Sequence, residues 1–191
     1  MAISYPLNTP TTIGIESITL RAVNATVASQ SPFTFKQQVI AHQGQRWEAS
    51  VSIPSSRRDL SADWVALVVA MKGQVGSFLL GDPDYVTPRG TVSSCVVTGT
   101  AGDGTVSVVM TGTLKAGDYI QLGAGSSARL HKVLVDKNGT GDLEIWPDLR
   151  STYSSVAAVT NSPKGVFRLS QNVNEWSINN ASAYGISFEA V

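Results

Sequence analysis

Two short acidic runs are the first places where the residue types of this chain could do chemistry. In DKNGTGDLEIWP, Asp136, Asn138, Gly141, Asp142 and Glu144 stand at the first, third, sixth, seventh and ninth places of a calcium-loop spacing. Such a loop needs an oxygen shell closed by a bidentate carboxylate at the twelfth place. Here the twelfth residue is Pro147 and the fifth is Thr140, so the run reads instead as a polar turn around Asn138-Gly139 between two strands. Asp82 and Asp84 bracket Pro83 closely enough to share a cation, yet Gly-Asp-Pro-Asp is a turn sequence.

Nucleophilic catalysis needs a Ser or Cys beside a base that a third group orients. The chain has no Gly-x-Ser-x-Gly elbow, and His42 and His131 fall in turn or strand contexts that suit structural histidines. Cys95 lies in the Val-rich SSCVVTG, where a free thiol behaves as a small apolar side chain. One cysteine makes no intrachain disulfide, and with two histidines it leaves a tetrahedral zinc site hard to assemble. The Gly-rich stretches lack Gly-Lys-Ser/Thr, and no spacing nominates a carboxylate pair for glycoside hydrolysis. No residue is nominated as catalytic, metal-ligating or cofactor-binding, and the reading is a protein that is not an enzyme and carries no cofactor.

Four tryptophans raise the question of sugar stacking. Trp47 and Trp64 run in phase with apolar neighbours and Trp176 alternates with Ile178, so these three read as core. Trp146, beside Pro147, is left as the candidate for an exposed platform. Arg57-Arg58 reads as a solvated or interface turn. The sequons at Asn24, Asn138 and Asn180 carry meaning only in a secreted protein, and MAISYPLNTP has neither the basic nor the apolar region of a secretory signal.

Positioning of all these residues falls to a chain of 191 residues with 42% apolar and 15% charged residues, against a usual charged share of about 25%. That composition packs a core and leaves a neutral polar surface. Lys+Arg and Asp+Glu both number 14, so no net field steers the chain onto nucleic acid or an anionic membrane. The longest apolar run, Trp64 to Met71, is 8 residues, far short of the ~20 that a membrane helix takes.

Alternation predicts antiparallel strands through the first third. Ile13 and Ile15, then Ile18 and Leu20, alternate in two phases with Glu16-Ser17 as a bulge. Phe33, Phe35, Gln37, Val39 and Ala41 share one face, and Trp47, Ala49, Val51 and Ile53 another, across a turn at His42-Gln43-Gly44. In SADWVALVVAMKG, Trp64, Leu67, Val68 and Met71 fall on one helical face, with Ser61 as cap and Gly73 as the left-handed stop. A short strand follows near Phe78 to Leu80. From Thr91 to Val159 the chain turns to Gly, Thr, Ser and Val, with strands near 92–98, 104–110, 118–123, 129–135 and 142–147 in the rhythm of a small barrel. Aromatic alternation returns with Phe167 and Leu169, Trp176 and Ile178, Ile186 and Phe188. The fold class is therefore mainly β with one α-helix: a sandwich-like β-domain of residues 1–87 and 161–191 into which a barrel of residues 88–160 is inserted.

The order of these motifs carries a resemblance. FTFKQQVIAHQGQRWEASVSIPSSRRDLSADWVALVVAMKGQVGSFLLGDPD, followed by LKAGDYIQLG, RLHKVL, IWPDLR and GVFRLS, resembles the distal tail proteins and related minor tail proteins of long-tailed bacteriophages. That resemblance implies a ring-forming β-domain and an inserted barrel, of oligonucleotide-binding-fold type in some members, without nucleic-acid binding following from it. It implies a homo-oligomer, a hexameric ring built by head-to-tail contacts, joining the tail tube protein to a baseplate hub or other tail-tip proteins. The implied location is the virion, at the tail tip, after synthesis in the host cytoplasm. No membrane insertion and no sequence-specific nucleic-acid contact are expected. The chain ends at Val191, where many members continue into a receptor-facing domain, so direct host binding is not implied. A non-catalytic carbohydrate-binding module is the alternative, favoured if Trp146 and a second aromatic share an exposed face.

Overall fold

Apolar alternation in the first sixty residues produces two long strands rather than several short ones. In the computed structural model, which describes residues 3–179 and 183–191, a short β1 (Leu7–Asn8) precedes β2 (Ser17–Gln30) and β3 (Gln37–Arg57). β2 and β3 pair antiparallel over nearly their whole length. The turn expected at His42-Gln43-Gly44 is not there. Those residues lie inside β3, where the register jumps from Asn24 opposite Gln45 to Thr26 opposite Ala41. Three residues thus oppose Ala25 alone, which is a bulge. A Cβ on Gly44 would sit 2.9 Å from that of Ala25, so this glycine serves close backbone approach and not chain reversal. The chain reverses at 31–36 instead, and Phe33 and Phe35 sit in that loop rather than on a sheet face. The expected strand at Ile13 and Ile15 is also corrected. Both lie outside the strands but pack on the core, and the Ile13 carbonyl accepts a hydrogen bond from Trp64 Nε1 at 3.1 Å.

β3 passes without a loop into α1 (Arg58–Ala70). Ser61 is therefore not the cap: it is the fourth helical residue, fully buried, with its Oγ 2.5 Å from that of Ser56. The first turn, Arg58-Asp59-Leu60, is exposed and gives no buried-face signal from which the earlier start could be read, although Asp59 suits the positive end of the helix dipole. Arg57 and Arg58 are exposed at this junction. The helical face is as its spacing requires, with Trp64, Leu67 and Val68 buried and Met71 buried just beyond. Lys72 (φ 51°) and Gly73 (φ 68°) are both left-handed and stop the helix before β4 (Phe78–Leu80).

The middle of the chain supplies β5 (Ser94–Gly99), β6 (Thr105–Thr111), β7 (Thr113–Leu114), β8 (Tyr119–Leu122), β9 (Arg129–Val133), β10 (Lys137–Asn138), β11 (Gly141–Trp146) and β12 (Tyr153–Ala157). Six of these form one sheet in the order β12-β5-β6-β11-β9-β8. The sheet curls so far that its ends meet, through paired hydrogen bonds between Gln121 and Val159 of 2.8 and 2.9 Å. The oligonucleotide-binding type has five strands; this sheet has six. Strict alternation along β6 and β11 places Val106, Val108, Met110, Leu143 and Ile145 inside, with Cys95, Val97, Leu114, Ile120, Leu122 and Val133.

The chain then returns to the first body as β13 (Gly165–Phe167), β14 (Trp176–Ile178) and β15 (Ala183–Ala190). Two sheets, β14-β15-β3-β2 and β1-β4-β13, share a second core with α1. Its centre is Trp64, Phe78, Phe167 and Phe188, with Phe78 and Phe188 edge to face at 5.8 Å. The structure is thus mainly β with one α-helix among the described residues. Trp176 departs from its expected place in the core. It is 38% exposed and Ile178 58%, because β14 is the outer strand of its sheet.

Candidate interaction surface and the seam behind it

Beyond the bulge, β2 and β3 continue as a two-stranded ribbon with no further strand on either side among the described residues, since β15 pairs with β3 only from Ala49 to Arg57. Opposed pairs on this ribbon are Val27 with Ile40 and Ala28 with Val39. Neighbouring pairs point to opposite faces, so each face carries one apolar pair among polar residues. Neither is covered: Val27 is 57%, Val39 62% and Ile40 50% exposed. At the tip, Phe33 is 92% exposed and Phe35 72%. Phe35 holds φ 54°, a left-handed conformation that costs a bulky L-residue ~1–2 kcal/mol and that glycine adopts freely. It is pinned there by Phe35 N–H donating to the Ser31 carbonyl and Ser31 N–H to that of Lys36, at 2.9 and 3.0 Å. Lys36 is the only Lys, Arg, Asp or Glu between Asn24 and Gln45.

The base of the arm is fixed to the barrel. Trp47 Nε1 donates to the Leu130 carbonyl at 2.9 Å, and its ring meets Trp146 edge to face at 4.5 Å. Trp146 Nε1 donates to Asn24 Oδ1 at 2.7 Å, and Gln45 bonds the Asp148 carboxylate and main-chain N–H at 3.1 and 2.7 Å. Trp47, expected in the core, packs against its margin and is half-buried at the seam between the two bodies, and Trp146 is held against it rather than standing as an open platform. The signal that marked them, aromatic residues in strand phase, does not distinguish a core from a seam.

The other residues singled out by type are dispersed. Asp136 accepts from Lys115 Nζ and Ala116 N–H at 2.9 and 2.8 Å, which holds its carboxyl below its ordinary range. Asn138 and Gly139 (φ 65°) form the turn, while Asp142 and Glu144 are exposed on β11. Asp82 Oδ1 accepts from Asp84 N–H at 3.1 Å, closing a local turn. No group of three or more His, Cys, Asp or Glu among the described residues is placed to hold a metal. Cys95 is buried and its thiol is pushed up to about 11 by burial. His42 is exposed in the bulge, Asn24 is engaged by Trp146, and Asn180 lies outside the described residues. No described helix is long and apolar enough to cross a membrane.

His131 is buried, with Nδ1 donating to the Pro147 carbonyl at 2.7 Å. Burial lowers its pKa from 6.5 to about 4, aided by Arg129 and Arg150. The folded state therefore takes up its proton at lower pH than the unfolded state, and the associated stability is whole above 6.5 and lost as pH falls towards 4. Urea unfolding midpoints across this window are expected to fall with pH, and to fall less in His131→Asn, whose amide keeps the donor to Pro147. An unchanged slope in the variant contradicts the assignment.

No protein-family model and no curated protein sequence matches this chain.

Proposed function

We propose that this protein is a structural ring component of the distal end of a long-tailed phage tail, linking the tail tube to the baseplate hub or tail-tip complex. The role is one of assembly, without catalysis, in a virion assembled from chains made in the host cytoplasm. The order of motifs from Phe33 to Ser170 supports the reading, and the arm is the observation that carries it. A two-stranded ribbon is marginal on its own in water, and one that exposes apolar side chains on both faces and at its tip, with free edges, invites a neighbour. An arm that docks on a different part of the next copy makes a head-to-tail contact, and repetition closes a ring when the rotation allows. Six copies is the expected number. A glycan platform has less support, since Trp146 is packed on Trp47.

Light scattering over a wide range of protein concentration tests this directly. A hexameric mass, or a concentration-driven rise towards it, is the expected result. A mass that stays monomeric throughout, including with tail tube protein added, rejects the ring.

A further inference from the structure

At the base of the arm, a cleft of about 460 Å³ opens between the two bodies, within the ~300–1,000 Å³ typical of ligand sites. Four arginines line it, Arg46, Arg129, Arg150 and Arg168, against one acidic residue, Asp148. Arg46 is spent on Glu48 at 2.6 Å. The other three have no carboxylate partner within 4.0 Å among the described residues. They are nonetheless held in place. Arg129 Nη1 donates to the Ala128 carbonyl at 3.1 Å and Arg150 Nη2 to that of Gln45 at 2.8 Å, while Arg168 Nη1 reaches the carbonyls of Gln74, Val75 and Gly76. Each bond uses one nitrogen of a guanidinium that carries five N–H groups, so fixed donors remain for an anion.

In a chain of zero net charge, this local excess of positive charge is uncompensated. Its effect reaches His131 in the same lining, which Arg129 and Arg150 disfavour from taking a proton. The rest of the lining mixes Ser77, Ser126 and His131 with an apolar patch of Trp47, Leu130, Val166 and Phe167. Guanidiniums grouped around an apolar patch in a recess do not suit a nucleic-acid backbone, which calls for a row of charges along an open surface. Free phosphate would leave the patch empty.

We propose that this cleft receives a short acidic segment of a partner protein, its carboxylates paired with Arg129, Arg150 and Arg168 and an apolar side chain set on the patch between them. The site lies at the base of the arm and not at its tip, and it does not depend on the ring reading.

The probe is a fluorescein-labelled Glu-Leu-Glu-Leu-Glu peptide, read by anisotropy on the full chain. Binding is expected to weaken more than 10-fold between 50 and 300 mM salt, on the order set by charge-assisted contacts. Replacing Arg129, Arg150 and Arg168 together by Gln is expected to weaken it by roughly 100-fold. Since those replacements also remove bonds to carbonyls, a second reading uses the unaltered protein. Phenylglyoxal modification of these three arginines, followed by mass spectrometry, is expected to slow at least fivefold with saturating peptide, with Arg21 and Arg58 unaffected. Absence of both binding and protection overturns the proposal. So does binding of inorganic phosphate or a single-stranded oligonucleotide as tight as that of the peptide.

Discussion

Phe33→Ser with Phe35→Gly at the arm tip is expected to weaken self-association by roughly 100- to 1,000-fold while leaving the fold at least as stable. Aromatic anchors at the centre of an interface commonly carry ~2 kcal/mol or more each, and both rings are open to solvent in the single chain. Their loss costs the monomer little. Glycine at position 35 also relieves the left-handed strain, so thermal unfolding should hold steady or rise slightly. The two readouts move in opposite directions only if the phenylalanines serve a neighbour. Equal light-scattering profiles for variant and parent, with the parent assembled, would remove the arm from the interface. A drop in unfolding temperature would mean the rings stabilise their own chain.

The largest effect on stability is expected at Asp118. Its side chain is fully buried where the barrel meets the loop after β4. One oxygen accepts from Arg89 N–H at 2.9 Å, and the other from Lys115 N–H at 2.8 Å and Gly90 N–H at 3.4 Å. Arg89 Nε lies 3.8 Å away, and Arg89 Nη2 also donates to the Ala116 carbonyl. Asp118→Ala leaves these three main-chain donors and the Arg89 guanidinium without their carboxylate, at a cost of about 4 kcal/mol. For a chain of this size that is a fall of roughly 10 °C in unfolding temperature. Asp118→Asn keeps one acceptor oxygen and should lose about half as much. A variant that unfolds within a degree or two of the parent would show that water replaces the carboxylate at no cost.

Neither Asp118 nor the arm was legible in advance, for different reasons. Asp118 sits in Lys-Ala-Gly-Asp, an ordinary turn sequence, and two of its partners lie nearly thirty residues earlier. Only the pairing of those loops in space shows its role. The arm was misread because alternation normally signals one buried face: Val39 and Ala41 have the same period as Val51 and Ile53, yet only the latter are covered. Local pattern reports periodicity, not what lies opposite. The His-Gln-Gly sequence at 42–44 then looked like a turn, since a bulge and a turn both call on glycine. Where a single element decides burial, spacing suffices: the expected face of α1 is the buried one, and alternation along β6 and β11 sorts their inward from their outward residues. The arginines of the cleft come from positions 129, 150 and 168, and no spacing along the chain brings them together.

One strand joins everything described above. β3 starts at the arm, passes the bulge, supplies Trp47 to the seam, sends Ala49, Val51 and Ile53 into the core, and enters α1 without a break. A pull on the tip along this axis is therefore not absorbed by a flexible joint. It loads the ladders to β2 and β15 in shear, where many hydrogen bonds must yield together, rather than peeling them one at a time. Tension at the arm arrives as displacement at the barrel and at the helix, which makes the strand a tie-rod through the molecule.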